Sequence, residues 1–150
     1  MNGWKIAAVV ILVVLAGIQW IPANLNQGDI DPPKDFATLY SPPAHIGTML
    51  RTACYDCHSN HTDYPWYNKL QPVAMFLENH IAQGKKQLNL SEFGDYSPRR
   101  RKSKLKSMSS QIEDGDMPLT SYTLIHRDAN LSPEDRKELA EWLSNLEGKL

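Results

Sequence analysis

The chain reads as an all-α protein, with about four helices forming one small domain behind an apolar N-terminal helix. Three observations carry that reading. Apolar residues recur every three or four positions in four separate stretches, the spacing of a helix with one buried face. No stretch alternates apolar and polar residues with the period of two that a half-buried strand requires. Two of the stretches open on Ser-Pro, a capping serine followed by a proline suited to a first helical turn. The chain has 150 residues, room for one domain and an appendage, and no internal repeat. Its 16 basic and 17 acidic residues leave a formal charge of −1, so no overall field points to nucleic acid.

The elements follow in order. Residues 1–21 begin Met1-Asn2-Gly3-Trp4-Lys5 and run from Ile6 to Ile21 without a charge, Gln19 being the one strongly polar residue. This is a membrane-directed segment, on the short side of the roughly 20 apolar residues that span a bilayer. Trp4 and Trp20 at its ends suit an interfacial aromatic belt. A cleavable signal shares this pattern, but Val14-Leu15-Ala16 is only a passable cleavage site and Ile21-Pro22-Ala23 a poor one. The segment therefore reads as an uncleaved transmembrane anchor. Lys5 sets its N-terminus in the cytoplasm and delivers the rest of the chain outside.

Residues 22–43 hold five prolines, Pro22, Pro32, Pro33, Pro42 and Pro43, with Asn, Asp and Gly and few large apolar residues, and read as a linker or surface strap. The main domain then spans 44–150. Ile46, Met49, Leu50 and Ala53 predict a short helix running straight into Cys54. Tyr64-Pro65-Trp66-Tyr67 is an aromatic cluster in a loop, either core packing or a surface for a flat ligand. Pro72 opens a helix whose apolar stripe is Val73, Phe76, Leu77 and Ile81 and which Gly84 is expected to end. Ser97-Pro98 starts another, with Leu105, Met108 and Ile112 on its buried face and Gly115 beyond its end. Its Arg99, Arg100, Arg101, Lys102, Lys104 and Lys106 read as a solvated face; the functional alternative is a patch that steers an acidic partner or leans on anionic lipid. The last helix begins at Ser132-Pro133, carries Glu134 and Asp135 in its first turn, and buries Leu139, Trp142, Leu143 and Leu146.

The chemistry is concentrated in Cys54-Tyr55-Asp56-Cys57-His58. Cys-x-x-Cys-His is the attachment signature of a c-type haem. Two thiols three positions apart lie about one helical turn apart, within reach of the vinyl groups on neighbouring pyrroles. The next residue, His58, can then offer a ring nitrogen to the iron as proximal ligand. Three other readings compete. A redox-active dithiol expects a preceding strand and a βαβ context, and neither is visible. A zinc site from Cys54, Cys57, His58 and His61 lacks a second knuckle. A disulfide across three residues would be strained, unlike the long-loop staples of small domains. The two motif cysteines are the only cysteines in the chain, so no disulfide framework exists. One haem per chain, attached where bacteria attach it, outside the inner membrane, agrees with the orientation set by Lys5.

The sixth ligand decides the function, because a methionine sulfur favours Fe(II) and makes a low-spin electron carrier. Met49 and Met108 fall on helical core stripes and Met75 is a further methionine. Met117 stands in the turn Gly115-Asp116-Met117-Pro118, outside any helical period, where an apolar side chain needs a reason. Met117 is the candidate distal ligand; His80, His126, His61 and a vacant site remain open as alternatives.

From about Ala44 to Leu146 the chain resembles the haem-binding domain family of membrane-anchored bacterial cytochrome c-like proteins. The resemblance lies in Cys54-Tyr55-Asp56-Cys57-His58-Ser59-Asn60 with Tyr64-Pro65-Trp66-Tyr67, Gly115-Asp116-Met117-Pro118 with Tyr122, His126-Arg127-Asp128-Ala129-Asn130-Leu131-Ser132, and Trp142. It departs at Leu119, where the family often has a second proline. It implies covalent haem c on Cys54 and Cys57, His58 as proximal ligand and Met117 as distal ligand. The expected protein is a single-pass inner-membrane monohaem cytochrome with its haem domain in the periplasm. It would be an electron carrier with a redox partner protein, not an enzyme, with no nucleic acid and no small-molecule substrate. The alternative is a haem-based sensor or peroxidase-like protein with an open distal site.

Overall fold

Ser97 and Ser132 start helices where expected, and for the expected reason. The computed structural model describes residues 2–150. It is all-α, with no strand among the described residues and one isolated antiparallel bridge between Gln27 and His61. The helices are α1 (Gly3–Ile18), α2 (Phe36–Tyr40), α3 (Ala44–Leu50), α4 (Asp56–His58), α5 (Val73–Gln87), α6 (Pro98–Glu113), α7 (Thr120–Thr123) and α8 (Pro133–Glu147). Short 3₁₀ turns lie at Pro32–Lys34, Trp66–Lys69, Leu90–Asp95 and Arg127–Ala129.

The frame is α6 on α8. Ser97 Oγ accepts from the Arg100 amide at 3.3 Å, satisfying a first-turn donor of α6. Ser132 and Asp135 form a reciprocal capping box at the start of α8. Leu105 and Ile112 of α6 meet Leu139 and Leu143 of α8 in one buried cluster. Small residues let the backbones approach: Ser109 Oγ donates to the Ala140 carbonyl at 3.1 Å and pairs with Ser144 Oγ at 2.9 Å.

Phe36 organises the rest of the core. It is 0 % exposed and meets Phe93, Tyr40 and Trp142 edge-on, with ring centroids 4.9, 5.1 and 6.0 Å away. It stands on α2, inside the stretch 22–43 expected to carry few large apolar residues. That five-residue helix has no periodicity to show, only Asp35, whose carboxylate caps it by accepting from Ala37 and Thr38. The earlier part of the stretch is a strap laid along α5. Gln19 meets Gln71, the Asn24 amide donates to Glu78, and Lys85 donates to Asn26 Oδ1 at 2.6 Å. Beyond α5 the strap pairs with the loop after the cysteine motif, Gly28 donating to Asn60 O at 2.7 Å and Thr62 to Asn26 O at 3.0 Å.

The observed elements depart from the expected ones at four points. The N-terminal apolar segment forms a helix of 16 residues, about 24 Å at the usual rise, and all its apolar side chains are outside the core. No helix among the described residues is long and apolar enough to cross a membrane. Gly84 does not end its helix: α5 runs on to Gln87. The buried stripe on α5 is narrower than expected: Ile81 is buried and Leu77 half-buried, Ala74 joins them, and Val73 and Phe76 stand exposed, Phe76 at 59 %. Finally, the helix into Cys54 is not regular: α3 passes into a π-helical turn, Arg51–Tyr55, before α4. Such wide turns recur at functional sites.

Two phenylalanines test this core directly. Phe36→Ala should cost about 3–5 kcal/mol in equilibrium urea unfolding, whereas Phe76→Ala should cost about 1 kcal/mol or less, the scale of a surface aromatic contact. Equal losses would contradict the assignment of α5's faces.

Candidate functional site

The wide turn and α4 present Cys54, Cys57 and His58 to a cavity of about 330 Å³, within the range of small-molecule and cofactor sites. Its walls come from α5 through His80, Gln83, Gly84 and Gln87, and from α6 through Lys104, Ser107, Met108, Gln111 and Ile112. Met117, Pro118, Leu119 and Tyr122 close it from the loop after α6. The structure thus brings five of the proposed haem contacts to one place: both cysteines, His58, Met117 and the alternative ligand His80. His61 lies away from the cavity, half-exposed, 3.9 Å from Asp63. His126 is also elsewhere, stacked on Tyr122 at 4.2 Å and hydrogen-bonded to the Tyr67 hydroxyl at 2.5 Å.

His58 is held in one tautomer. Its Nδ1 lies 3.0 Å from the Gly84 carbonyl and 3.1 Å from that of Leu88. Carbonyls only accept, so the proton sits on Nδ1 and Nε2 keeps a free lone pair, as a metal-binding histidine needs. Burial lowers the pKa of His58, and Lys104 acts in the same direction, against the two hydrogen bonds, so the neutral ring is favoured. This geometry depends on Gly84. A Cβ there would stand 2.7 Å from the Cys57 carbonyl oxygen, closer than real contacts allow, so only glycine lets α5 approach the motif.

The thiols are free. Burial pushes Cys54 up to about 12 and Cys57 up to about 11, with the neighbouring Cys57 and Asp56 charges adding to the respective shifts. A redox dithiol needs the opposite, a thiol whose pKa is depressed. Nor does the zinc reading find its set: among the described residues no group of three or more His, Cys, Asp or Glu side chains is placed to hold a metal.

The two variable residues of the motif act as fasteners. Tyr55 donates its hydroxyl to Asp35 at 3.0 Å, joining the motif to the cap of α2. Asp56 accepts from the Tyr122 hydroxyl at 2.6 Å and from the Asp63 amide at 3.2 Å. Burial, then the hydrogen bond to Asp56, pushes the Tyr122 phenol far up, so it remains a donor. Asp56 therefore ties the Met117 loop to the cysteines. At the other end of that loop Gly115, at φ +77°, turns the chain out of α6, and the Gln111 carbonyl accepts from both Asp116 and Met117.

Sequence reasoning missed Gly84, Asp56 and Lys104. The sequence pattern gives Gly84 as a helix end and assigns Asp56 no role, although an acidic residue inside the motif is visible. Arg99, Arg100, Lys102 and Lys106 do lie on a solvated face, but Lys104 lines the cavity and Arg101 donates to the Tyr96 and Gly94 carbonyls. The aromatic cluster is neither core nor cavity lining: Tyr64 accepts from Asn26, Tyr67 bonds His126, and Trp66 is exposed.

An all-α domain with a cysteine pair, a tautomer-locked histidine and an apolar cavity between two helices is built as a cofactor carrier. The family model for the haem-binding domain matches residues 13–145, and the chain belongs to that family. No curated protein and no solved structure matches the chain. Haem suits the site: the walls are mainly apolar, the thiols are unbonded, and one imidazole nitrogen is free.

Before haem attachment, the cysteines should react with iodoacetamide at pH 8 at least about a hundredfold more slowly than a free thiol of pKa about 8.5, because raised pKa values leave little thiolate. Alkylation rates on the folded haem-free chain measure this. Rates at or above the free-thiol value would restore the dithiol reading.

Proposed function

We propose that the chain is a membrane-anchored, single-haem c-type cytochrome that transfers electrons and turns over no substrate. The observation that carries this reading is that Cys54, Cys57, His58 and Met117 open onto one cavity. Haem held there supplies a one-electron iron couple. Cys54 and Cys57 each offer a thiol for a thioether link. His58 Nε2 is the proximal ligand, oriented by the Gly84 and Leu88 carbonyls. Met117 offers the distal sulfur, a soft ligand that favours the ferrous state, and the Asp56–Tyr122 hydrogen bond keeps its loop in place. Residues 1–21 anchor the chain in the bacterial inner membrane, with the haem domain in the periplasm and a redox protein as partner.

A pair of variants separates ligation from packing. Met117→Ala should give a high-spin or water-bound ferric spectrum, abolish the sulfur-to-iron charge-transfer band and lower the potential. Met108→Ala should leave the spectrum unchanged and cost about 2–5 kcal/mol as a buried truncation. A reversed result would make Met108 the ligand; if neither changes the spin state, His80 is next. Rapid carbon monoxide binding to a wild-type protein that is high-spin when ferric would favour the sensor or peroxidase-like reading.

A further inference from the structure

The exposed side of α5 is an apolar surface that lies where α1 ends. Leu70, Val73 and Phe76 are 48, 42 and 59 % exposed, and Trp66, in the turn before them, 76 %. From Tyr64 to Leu77 the one charged residue is Lys69. The loop from Leu119 to His126 carries no Asp, Glu, Lys or Arg and exposes Leu124 and Ile125. It joins this side through the hydrogen bond between His126 and Tyr67, the residue next to Trp66. An apolar surface with so little charge on a small domain marks an interaction site.

The foot of α1 shows what covers it. Gln19 and Gln71 bond reciprocally, Gln19 Nε2 to the Gln71 carbonyl and the Gln71 amide to Gln19 Oε1, both at 3.0 Å. Gln71 Nε2 also donates to the Ile21 carbonyl at 3.2 Å. Three hydrogen bonds therefore set Gln71 at the level where the apolar helix ends, beside exposed Trp20 and Ile21. Leu70 directly precedes Gln71, and Val73 and Phe76 follow within five residues. If α1 enters a bilayer, these side chains stand in its interfacial layer, where tryptophans are favoured and a lysine can meet anionic headgroups. At about 24 Å, α1 is also shorter than the roughly 30 Å hydrocarbon core, which draws its foot and the attached domain toward the lipid.

We propose that Trp66, Leu70, Val73 and Phe76 form a collar that seats the haem domain on the phospholipid surface, held there by the Gln19–Gln71 hydrogen bonds. The collar rests on the reading of residues 1–21 as an anchor. It also sets an orientation for the haem: Phe76 packs against His80 with the rings tilted and their centroids 4.2 Å apart, and His80 lines the cavity. One edge of the cavity is thereby directed toward the membrane plane, and the exposed basic residues of α6 belong to a different element.

The test is photolabelling of the full haem-loaded chain in phosphatidylcholine–phosphatidylglycerol vesicles that carry a diazirine lipid activated near the glycerol. Labelled residues are mapped by mass spectrometry. The proposal expects label on residues 3–21 and on 66–76. Val73→Glu combined with Phe76→Glu should abolish the second set and keep the first, with the haem absorption spectrum intact. Trp66→Glu, at a more exposed position, repeats the test if that pair perturbs the haem. Label on α1 alone overturns the collar and leaves the anchor. Label on neither overturns both, and label on 66–76 without label on 3–21 removes the anchor on which the collar rests and overturns the proposal. Undiminished label on 66–76 in a folded glutamate variant also overturns the collar.

Discussion

The contact between α5 and the cysteine motif is the constraint on which the site depends. His58 can keep its proton on Nδ1 only because the carbonyls of Gly84 and Leu88 stand within 3.0 and 3.1 Å. Those carbonyls reach it only because residue 84 has no side chain to strike the Cys57 backbone. Gly84 lies inside the last turns of α5, where glycine is normally unfavourable by about 1 kcal/mol relative to alanine. The helix bears that cost where close approach requires it. The second carbonyl belongs to Leu88, the residue just after α5, so the length of the helix and the tautomer of the histidine are coupled.

Around that contact, residues between and beside the cysteines tie the other elements to the motif. Tyr55 reaches back to Asp35 and the start of α2; Asp56 reaches forward to Tyr122. Ser59 and Thr62 meet Asn26 of the strap, whose side chain donates to the Ser59 carbonyl at 3.0 Å and to Thr62 Oγ1 at 2.9 Å. Asn26 is itself met by Lys85 of α5. The motif is thus a hub of hydrogen bonds before any cofactor is considered, and the cavity is bounded by elements that these bonds hold in place.

What was legible in the sequence follows the range of the interaction concerned. Ser97 and Ser132 act within three residues, so their helices could be read with their caps. The cysteine spacing encodes a geometry inside one helical turn, and it too was visible. Apolar periodicity identified α6 and α8 and the burial of Leu105, Ile112, Leu139 and Leu143. On α5 it held for Leu77 and Ile81 and failed for Val73 and Phe76, because periodicity locates an apolar face without saying what that face meets, and those two belong to the outer side. Gly84 was misread for a related reason: a glycine late in a helix resembles a stop, and only the position of Cys57 shows it to be a close approach. Phe36 escaped because its helix is too short to have a period, and its partners Phe93 and Trp142 are far along the chain.

The proposed function stands on covalent attachment of haem to the motif that α5 clasps. The direct measurement is mass spectrometry of the purified protein after acid–acetone extraction and tryptic digestion. Cleavage after Arg51 and Lys69 isolates residues 52–69, which hold both cysteines and His58. Under the proposed function this peptide retains the mass of one haem, bound through Cys54 and Cys57. Haem recovered wholly in the organic extract, with residues 52–69 at their unmodified mass, would contradict it.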